Sequence, residues 1–279
     1  MPTLCQPHPD TLCFGCCPPI RPSHYDPLDY ISSLRREFAD NRRRFLLLGP
    51  HQGAIVGFSC WALGCLDATG QRIGCLLHPA EHLGRDLRDV TGYGEKCRRE
   101  RCLAARAFTA LSSDAQSFWL ELAAGLPSFY YSSPRANPLF HILLWGAPVL
   151  ERFCRDALLL GLTATELLWR QPFLADRHWS PRAHRYPLRL ILASICQSAL
   201  QSDKSLAESC RRLWRQIHSL PWARSDNQEP PQAYYVNQLP LDDDYLDFLR
   251  IALQWRRATW QRALALQGEI ESLAVHRHP

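Results

Sequence analysis

Three cysteines fall within five residues in the run CFGCC, at positions 13 to 17, and Cys5 lies shortly before them. The Cys13-x2-Cys16 spacing is typical of a tight turn in which two thiolates converge on one soft cation, either zinc or an iron of a cluster. Adjacent side chains of an extended chain point to opposite sides, so Cys17 would serve a second centre. The run therefore predicts metal binding.

The cysteines are concentrated toward the N-terminus. Of the 12 in the sequence, nine lie at or before Cys102, and the others are Cys154, Cys196 and Cys210. In a reducing compartment, clustered cysteines hold metal more often than they form disulfides. The predicted metal ligands are Cys5, Cys13, Cys16, Cys17, Cys60, Cys65, Cys75, Cys97, Cys102 and His78. They suffice for two four-ligand sites of zinc or iron–sulfur type, and reduced packing cysteines and disulfides are the alternatives.

Two further cysteine pairs have the same spacing, Cys60-x4-Cys65 and Cys97-x4-Cys102. Positions five apart on a helix are separated by about 140° around its axis. Cys97 and Cys102 therefore converge only if Cys97 precedes the helix, which the GYG turn at 92–94 allows.

His78 has two possible roles. With Cys75 it forms a C-x2-H pair, and it also begins HPAEH, which fits the H-x-x-E-H pattern of inverted zinc proteases. Pro79 takes His78 out of helical geometry, which favours a helix cap over a protease ligand.

The N-terminal part should contain one helix and one hairpin. DPLDYISSLRREFADNRRRF, residues 26–45, has Asp26 and Pro27 at its start and an apolar stripe of Ile31, Leu34, Phe38 and Phe45. QGAIVGFSC (52–60) and QRIGCLL (71–77), joined by the turn-like DATG (67–70), predict a hairpin. Such a hairpin should bring Cys60, Cys65 and Cys75 together.

From about Lys96 onward the apolar periodicity is helical. The predicted helices are 97–111, 114–125, 138–160, 164–171, 187–201, 204–218 and 242–274. Asp242, Asp243 and Asp244 place negative charge at the start of the last one, which we favour over a cation site. A proline-rich connector occupies 219–240. The sequence thus predicts a mostly α protein, with a cysteine-rich α+β module that contains a short β-hairpin at 1–105 and a helical domain at 106–279.

Charge and apolar runs limit the classes of partner. The net charge of +5 is mild, and with only Lys96 and Lys204 as lysines the arginine bias indicates a GC-rich genome more than an anionic ligand. Arg and Trp interleave at LWRQ (213–216) and QWRRATWQR (254–262), where they could stack on bases, but we favour Trp255 and Trp260 as packing anchors. No secretory signal or bilayer-length apolar run occurs, so we expect a cytoplasmic protein without a membrane partner.

At CFGCC and again at IGCLLHP the sequence resembles the bacterial cysteine-cluster proteins of the YkgJ type, described as zinc- or iron-chelating. The similarity is confined to residues 5–102. It implies metal ligation by Cys13, Cys16, Cys17 and Cys75, whereas the x4 pairs have no counterpart in it.

The predicted function is metal binding by the cysteine-rich module, with the helical domain contacting or regulating a protein partner. No phosphate-binding loop, dinucleotide fingerprint or serine nucleophile elbow is present, so we do not expect an enzyme. An iron–sulfur electron-transfer protein or enzyme accessory, and a metal-dependent nucleic-acid binder, are the alternatives. Because a loop-rich module of this size has little core of its own, metal should supply its folding free energy.

Overall fold

The chain forms two compact units in a computed structural model that describes residues 3–15, 17, 28–55, 60–99, 102–133, 136–194, 203–220 and 233–275. The cysteine-rich unit comprises Met1–Arg106 and Leu122–Pro138, and the helical unit comprises Ala107–Glu121 and Leu139–Pro279. Residues 122–138, which a boundary at 105 assigns to the helical domain, therefore fold with the N-terminal part.

Helix α1, Tyr30–Leu48, packs on a two-stranded antiparallel hairpin of β1, Leu63–Cys65, and β2, Ile73–Cys75. Phe38, a member of the predicted apolar stripe, is buried, with 1% of its surface exposed. The side-chain amide of Asn41 donates to the backbone carbonyl of Leu63 (2.9 Å), and the Arg42 guanidinium donates to the backbone carbonyl of Leu66 (2.6 Å). The predicted cap residues Asp26 and Pro27 lie outside the described residues.

The hairpin is confirmed, but its first strand lies at 63–65 instead of 52–60. A hairpin strand has to end at its turn, and the turn lies immediately after Cys65. There the Asp67 carboxylate accepts hydrogen bonds from the backbone amides of Gln71 (3.1 Å) and Arg72 (3.3 Å), and Gly70 takes a φ of 70°.

The cysteine-rich unit has a hydrophobic core of its own, whereas the sequence led us to expect little core there. The buried members of this core are Phe38, Ile55, Cys60, Ala62, Leu63, Cys65, Ile73, Leu77 and Phe129. Phe129 comes from 122–138, a segment that the sequence analysis did not assign to this unit. Two of the predicted ligands, Cys60 and Cys65, also serve as apolar packing groups.

Beyond this hairpin, the residues that the structure describes are mostly helical, as predicted. The helices are α2 Gly94–Arg99, α3 Leu103–Thr109, α4 Ser113–Leu120, α5 Ser128–Tyr131, α6 Leu139–Leu143, α7 Ala147–Leu159, α8 Ala164–Arg170, α9 Pro181–Ser194, α10 Asp203–Ser219, α11 Asp243–Asp247 and α12 Trp260–Val275. Short strands β3, Tyr234–Tyr235, and β4, Arg257–Ala258, form a second antiparallel pair. Among the described helices, none combines the length and the apolar character needed to cross a bilayer.

Two predicted long helices are each broken. Gly146, at a φ of 83°, separates α6 from α7 within the predicted 138–160 helix. Within 242–274, α11 continues into a π-helical turn, Phe248–Ala252, and Gln254 then adopts a φ of 57° before β4. Trp255 is buried as expected, whereas Trp260 is 52% exposed at the start of α12 and does not anchor packing.

The acidic start of α11 is confirmed as a capped and paired helix terminus. Asp242 accepts hydrogen bonds from the backbone amides of Asp244 (2.9 Å) and Tyr245 (3.2 Å). Three arginines on one face of α9 pair with acidic residues of α11: Arg182 with Asp247 (2.6 Å), Arg185 with Asp244 (2.6 Å) and Asp247 (3.0 Å), and Arg189 with Asp244 (3.1 Å). This set of ion pairs joins the two helices of the helical unit.

Candidate metal centres

Helix α5 holds the N-terminal segment, residues 3–15, in place. The backbone amide of Leu12 donates to Ser128 Oγ (3.1 Å), and the backbone amide of Phe14 donates to Ser132 Oγ (3.0 Å). The Tyr131 hydroxyl donates to the carbonyl of Leu4 (2.7 Å). Because Ser128 and Ser132 are four residues apart, they lie on one face of the helix and can bind two alternate amides of an extended segment.

Three cysteines gather around Tyr131, and we call Cys5, Cys13 and Cys102 the first cysteine group. The backbone amide of Cys13 donates to the carbonyl of Cys5 (2.9 Å), which joins the two ends of the loop between them. Burial raises the pKa of Tyr131 well above its usual range, and negative charge on these three sulfurs would raise it further. The three thiols therefore share one electrostatic environment, although Cys102 lies far along the chain.

A second cysteine group consists of Cys60, Cys75 and Cys97. In the hairpin Cys75 lies opposite Leu63, whose backbone amide donates to the carbonyl of Cys60 (3.1 Å), so Cys60 and Cys75 are neighbours across the hairpin. Burial raises the pKa of Cys60, and Cys97 adds to the effect. Burial also raises the pKa of Cys75 to about 12, with contributions from Cys60 and Cys97.

Backbone amides donate to two of these six sulfurs, both in the first group: Gly15 to Cys13 (3.4 Å) and Ala105 to Cys102 (3.3 Å). In the second group, the backbone amides of Ala62 and Leu63 lower the pKa of Cys60, and that of Leu77 lowers the pKa of Cys75, against the larger effect of burial. An amide donor stabilises a thiolate more than a thiol, because it bonds to the charged form. Hydrogen bonds to sulfur of this kind also tune metal–thiolate sites.

Arg88 brings a positive charge to the second group. Its guanidinium is held by the Asp86 carboxylate (2.9 and 2.8 Å) and donates to the carbonyl of Cys97 (3.3 Å). The hydrogen bonds that Arg88 donates to Asp86 are the main reason that the pKa of Arg88 is raised, and the sulfurs of Cys75 and Cys97 contribute. Arg88 is thus an additional counter-charge for thiolates at this position.

The hairpin does not bring Cys60, Cys65 and Cys75 together as a cluster that could hold a metal ion among the described residues. Cys65 lies opposite Ile73 at the turn end of the hairpin, and burial raises its pKa. The cause is the antiparallel register, which sets Cys65 and Cys75 at opposite ends of the strand pair.

Cys97 and Cys102 do not converge either. Cys97 lies inside α2, Gly94–Arg99, and does not precede the helix, whereas Cys102 directly precedes α3. Cys97 thus lies with the second group and Cys102 with the first.

His78 caps a short 3₁₀ turn, Pro79–Glu81, by accepting a hydrogen bond from the backbone amide of Ala80 at Nδ1 (3.2 Å). An Nδ1 acceptor leaves the proton on Nε2, so in this tautomer neither nitrogen offers a lone pair to a metal. Burial lowers the pKa of His78, which keeps the ring neutral. Among the other predicted ligands, Cys17 packs against the core and Cys16 lies outside the described residues.

The cysteine groups are neighbourhoods and not assembled coordination shells. Within the ranges that the structure describes, no three His, Cys, Asp or Glu side chains are close enough together to hold a metal ion. Metal binding at either group would therefore require the thiols to draw closer together.

Residues 122–138 and Arg88 form the part of the site that sequence reasoning missed. Ser128 and Ser132, four apart in SFYYSS, are a signal for a polar helix face, but nothing in the sequence assigns that face to residues 3–15. The pairing spans more than a hundred residues of chain, as in the contact of Leu12 with Ser128, 116 positions apart.

Comparison with protein-family models, with curated proteins and with solved structures gives no match to this chain. The likeness of its cysteine pattern to the YkgJ type accordingly stays a prediction.

Proposed function

We propose that the cysteine-rich unit binds metal through the two cysteine groups, as zinc or as iron–sulfur centres. The observation that carries the proposal is the pair of backbone amides that donate to the sulfurs of Cys13 and Cys102 in the first group. These donors are complementary to thiolates, and in the second group a thiolate at the buried Cys60 would need a cation to compensate its charge.

Each group offers three thiolates for one centre. For the first group, the C-x2-C spacing supplies Cys16 as a fourth ligand beside Cys13, which completes the tetrahedral set that zinc or one iron of a cluster prefers. The second group contributes three sulfurs next to the Arg88 guanidinium. Thiolate sites of this kind need reducing conditions, so we place the protein in the cytoplasm.

The role we propose for the centres is structural, with the helical unit contacting a protein partner. Large apolar side chains are exposed where α7 ends and on α8, which packs against α7: Leu158 is 55% exposed, Leu159 64% and Trp169 79%. Exposed apolar side chains of this size are typical of surfaces that bind other proteins.

Elemental analysis and an absorbance spectrum of anaerobically purified protein test the proposal. Zinc without visible absorbance would support the structural role, whereas a brown protein that bleaches on reduction would indicate an iron–sulfur centre and electron transfer. Protein that holds neither metal, and whose structure does not change with a chelator, would refute metal binding altogether.

Single substitutions assign the metal to the groups. Cys13→Ala should remove the metal of the first group and Cys75→Ala that of the second, each without emptying the other centre. Cys210→Ala is the control, because it removes a cysteine that belongs to the helical unit and to neither cysteine group. Equal metal content in all three variants would contradict the assignment.

A further inference from the structure

One face of helix α10 carries cationic and aromatic side chains in the helical unit. Arg211, Trp214, Arg215 and His218 are spaced three, four and seven residues apart, so they lie along the same side of the helix. The opposite side packs into the core, where the buried residues are Leu206, Cys210, Leu213 and Ile217. On the first face Arg211, Arg215 and His218 are exposed, whereas Trp214 is half-buried and its ring lies 6.0 Å from that of the buried Phe248.

This face of α10 forms one wall of an open groove of about 600 Å³, whose other wall includes Trp179 and His184. A shallow, open stretch of surface shares Trp214 and Arg215 with the groove as lining residues. The volume of the groove falls within the roughly 300–1,000 Å³ of small-molecule sites.

Four rings lie in series along the groove. The Trp179 and His184 rings are 5.0 Å apart, His184 and Trp214 are 4.5 Å apart and inclined by only 33°, and Trp214 and His218 are 4.7 Å apart. Trp214 is half-buried, so part of its ring is open to a ligand. Ring faces of this kind stack on planar aromatic groups.

The charge beside these rings is positive. Arg211 and Arg215 line the groove, and the Arg211 guanidinium lies 5.5 Å from the centre of the Trp179 ring. Among the described lining residues, Asp176 supplies one carboxylate against these two guanidiniums, and it accepts a hydrogen bond from the backbone amide of His178 (2.9 Å). A planar guanidinium fork suits phosphate oxygens.

We propose that this groove binds a nucleobase that carries a phosphate, with the base on Trp214 and the phosphate at Arg211 and Arg215. An uncharged apolar ligand would not use the positive charge of the two guanidiniums, and a bare phosphate would leave the rings unused. A free nucleotide and a single-stranded nucleic acid present the same chemistry.

Binding of three probes to the full-length protein distinguishes these sources: AMP, a short oligothymidylate and inorganic tripolyphosphate. Binding of AMP as tight as that of the oligonucleotide would identify a free nucleotide as the ligand, and binding of the oligonucleotide alone would identify a single strand. Tripolyphosphate that binds as tightly as either would overturn the proposal, as would the absence of binding by both nucleotide probes.

Substitutions then locate the binding. Trp214→Ala should weaken it by roughly 5- to 100-fold through loss of stacking, while Trp214→Phe, which keeps a ring, should retain more of it. Each of Arg211→Ala and Arg215→Ala should reduce the slope of log affinity against log salt concentration by about 0.7.

Matched control variants come from the same unit. Trp169→Ala and Arg155→Ala each remove an exposed side chain away from the groove and should leave the affinity unchanged. Circular dichroism confirms that each variant is folded. Folded Trp214→Ala protein that binds the nucleotide probes with wild-type affinity would overturn the proposal.

Discussion

Replacing Ser128 and Ser132 with alanine should loosen the N-terminal segment without changing a single cysteine. Ser128 is fully buried and accepts the hydrogen bond of the buried Leu12 amide, so its loss leaves that amide without a partner, at a cost of about 1–3 kcal/mol. Ser132 accepts from the less buried amide of Phe14, and its loss costs about 0.5–1.5 kcal/mol. Because the two sites are neighbours, the costs need not add strictly, and we expect roughly 2–4 kcal/mol for the double variant.

Native-state hydrogen exchange measures this change at the two amides concerned. At about 1.4 kcal/mol for each factor of ten, the amides of Leu12 and Phe14 should exchange roughly 30- to 700-fold faster in the double variant, compared at equal metal content. Ser133→Ala, which removes a half-buried hydroxyl next to Ser132, should leave both rates unchanged. Unchanged exchange in the double variant would refute the idea that α5 holds the segment in place.

Three further predictions concern packing and pH. Asp247→Asn should lower the free energy of unfolding by about 2–4 kcal/mol, because two arginines of α9 lose a largely buried partner. The control Asp243→Asn, at an exposed residue, should change it by less than about 0.5 kcal/mol, and equal effects in chemical unfolding would contradict the ion-pair role. Gly64→Ala should cost about 1–3 kcal/mol in the same assay, since the added methyl would stand 3.1 Å from the carbonyl oxygen of Phe38; a neutral result would mean that α1 and β1 can separate freely. Burial lowers the pKa of His184, so its contribution to stability should be complete above about pH 6.5 and decline as the pH falls below that value. The variant His184→Gln should show a flatter decline in the free energy of unfolding, and an equally steep decline in the variant would exclude His184 as its source.

The class of fold follows from the sequence because helical periodicity dominates the chain after Lys96. The helix ends follow less well. Apolar spacing continues in helical register on both sides of Gly146 and of Gln254, so periodicity alone gives no sign that the chain turns there with a positive φ. Tertiary packing, and not local propensity, decides such positions.

The composition of the candidate site could be predicted, but its grouping could not. Cysteine spacing identifies the residues, and it suggests local pairs such as Cys97 with Cys102. Cys97 lies within α2 and Cys102 directly precedes α3, and the structure places Cys97 with the hairpin and Cys102 with the N-terminal loop. The partners of residues 3–15 come from α5, and a contact over so many residues has no local sequence signal.

The interleaved order of the two units affects how the protein can be synthesised. Residues 122–138 belong with the cysteine-rich unit, although Ala107–Glu121 of the helical unit is translated between them and Arg106. A nascent chain that has emerged from the ribosome only to residue 105 lacks Ser128, Tyr131 and Ser132, so its first cysteines have no docking partner. Those thiols must therefore await about thirty more residues of translation, a window in which chaperones and oxidants have access to them.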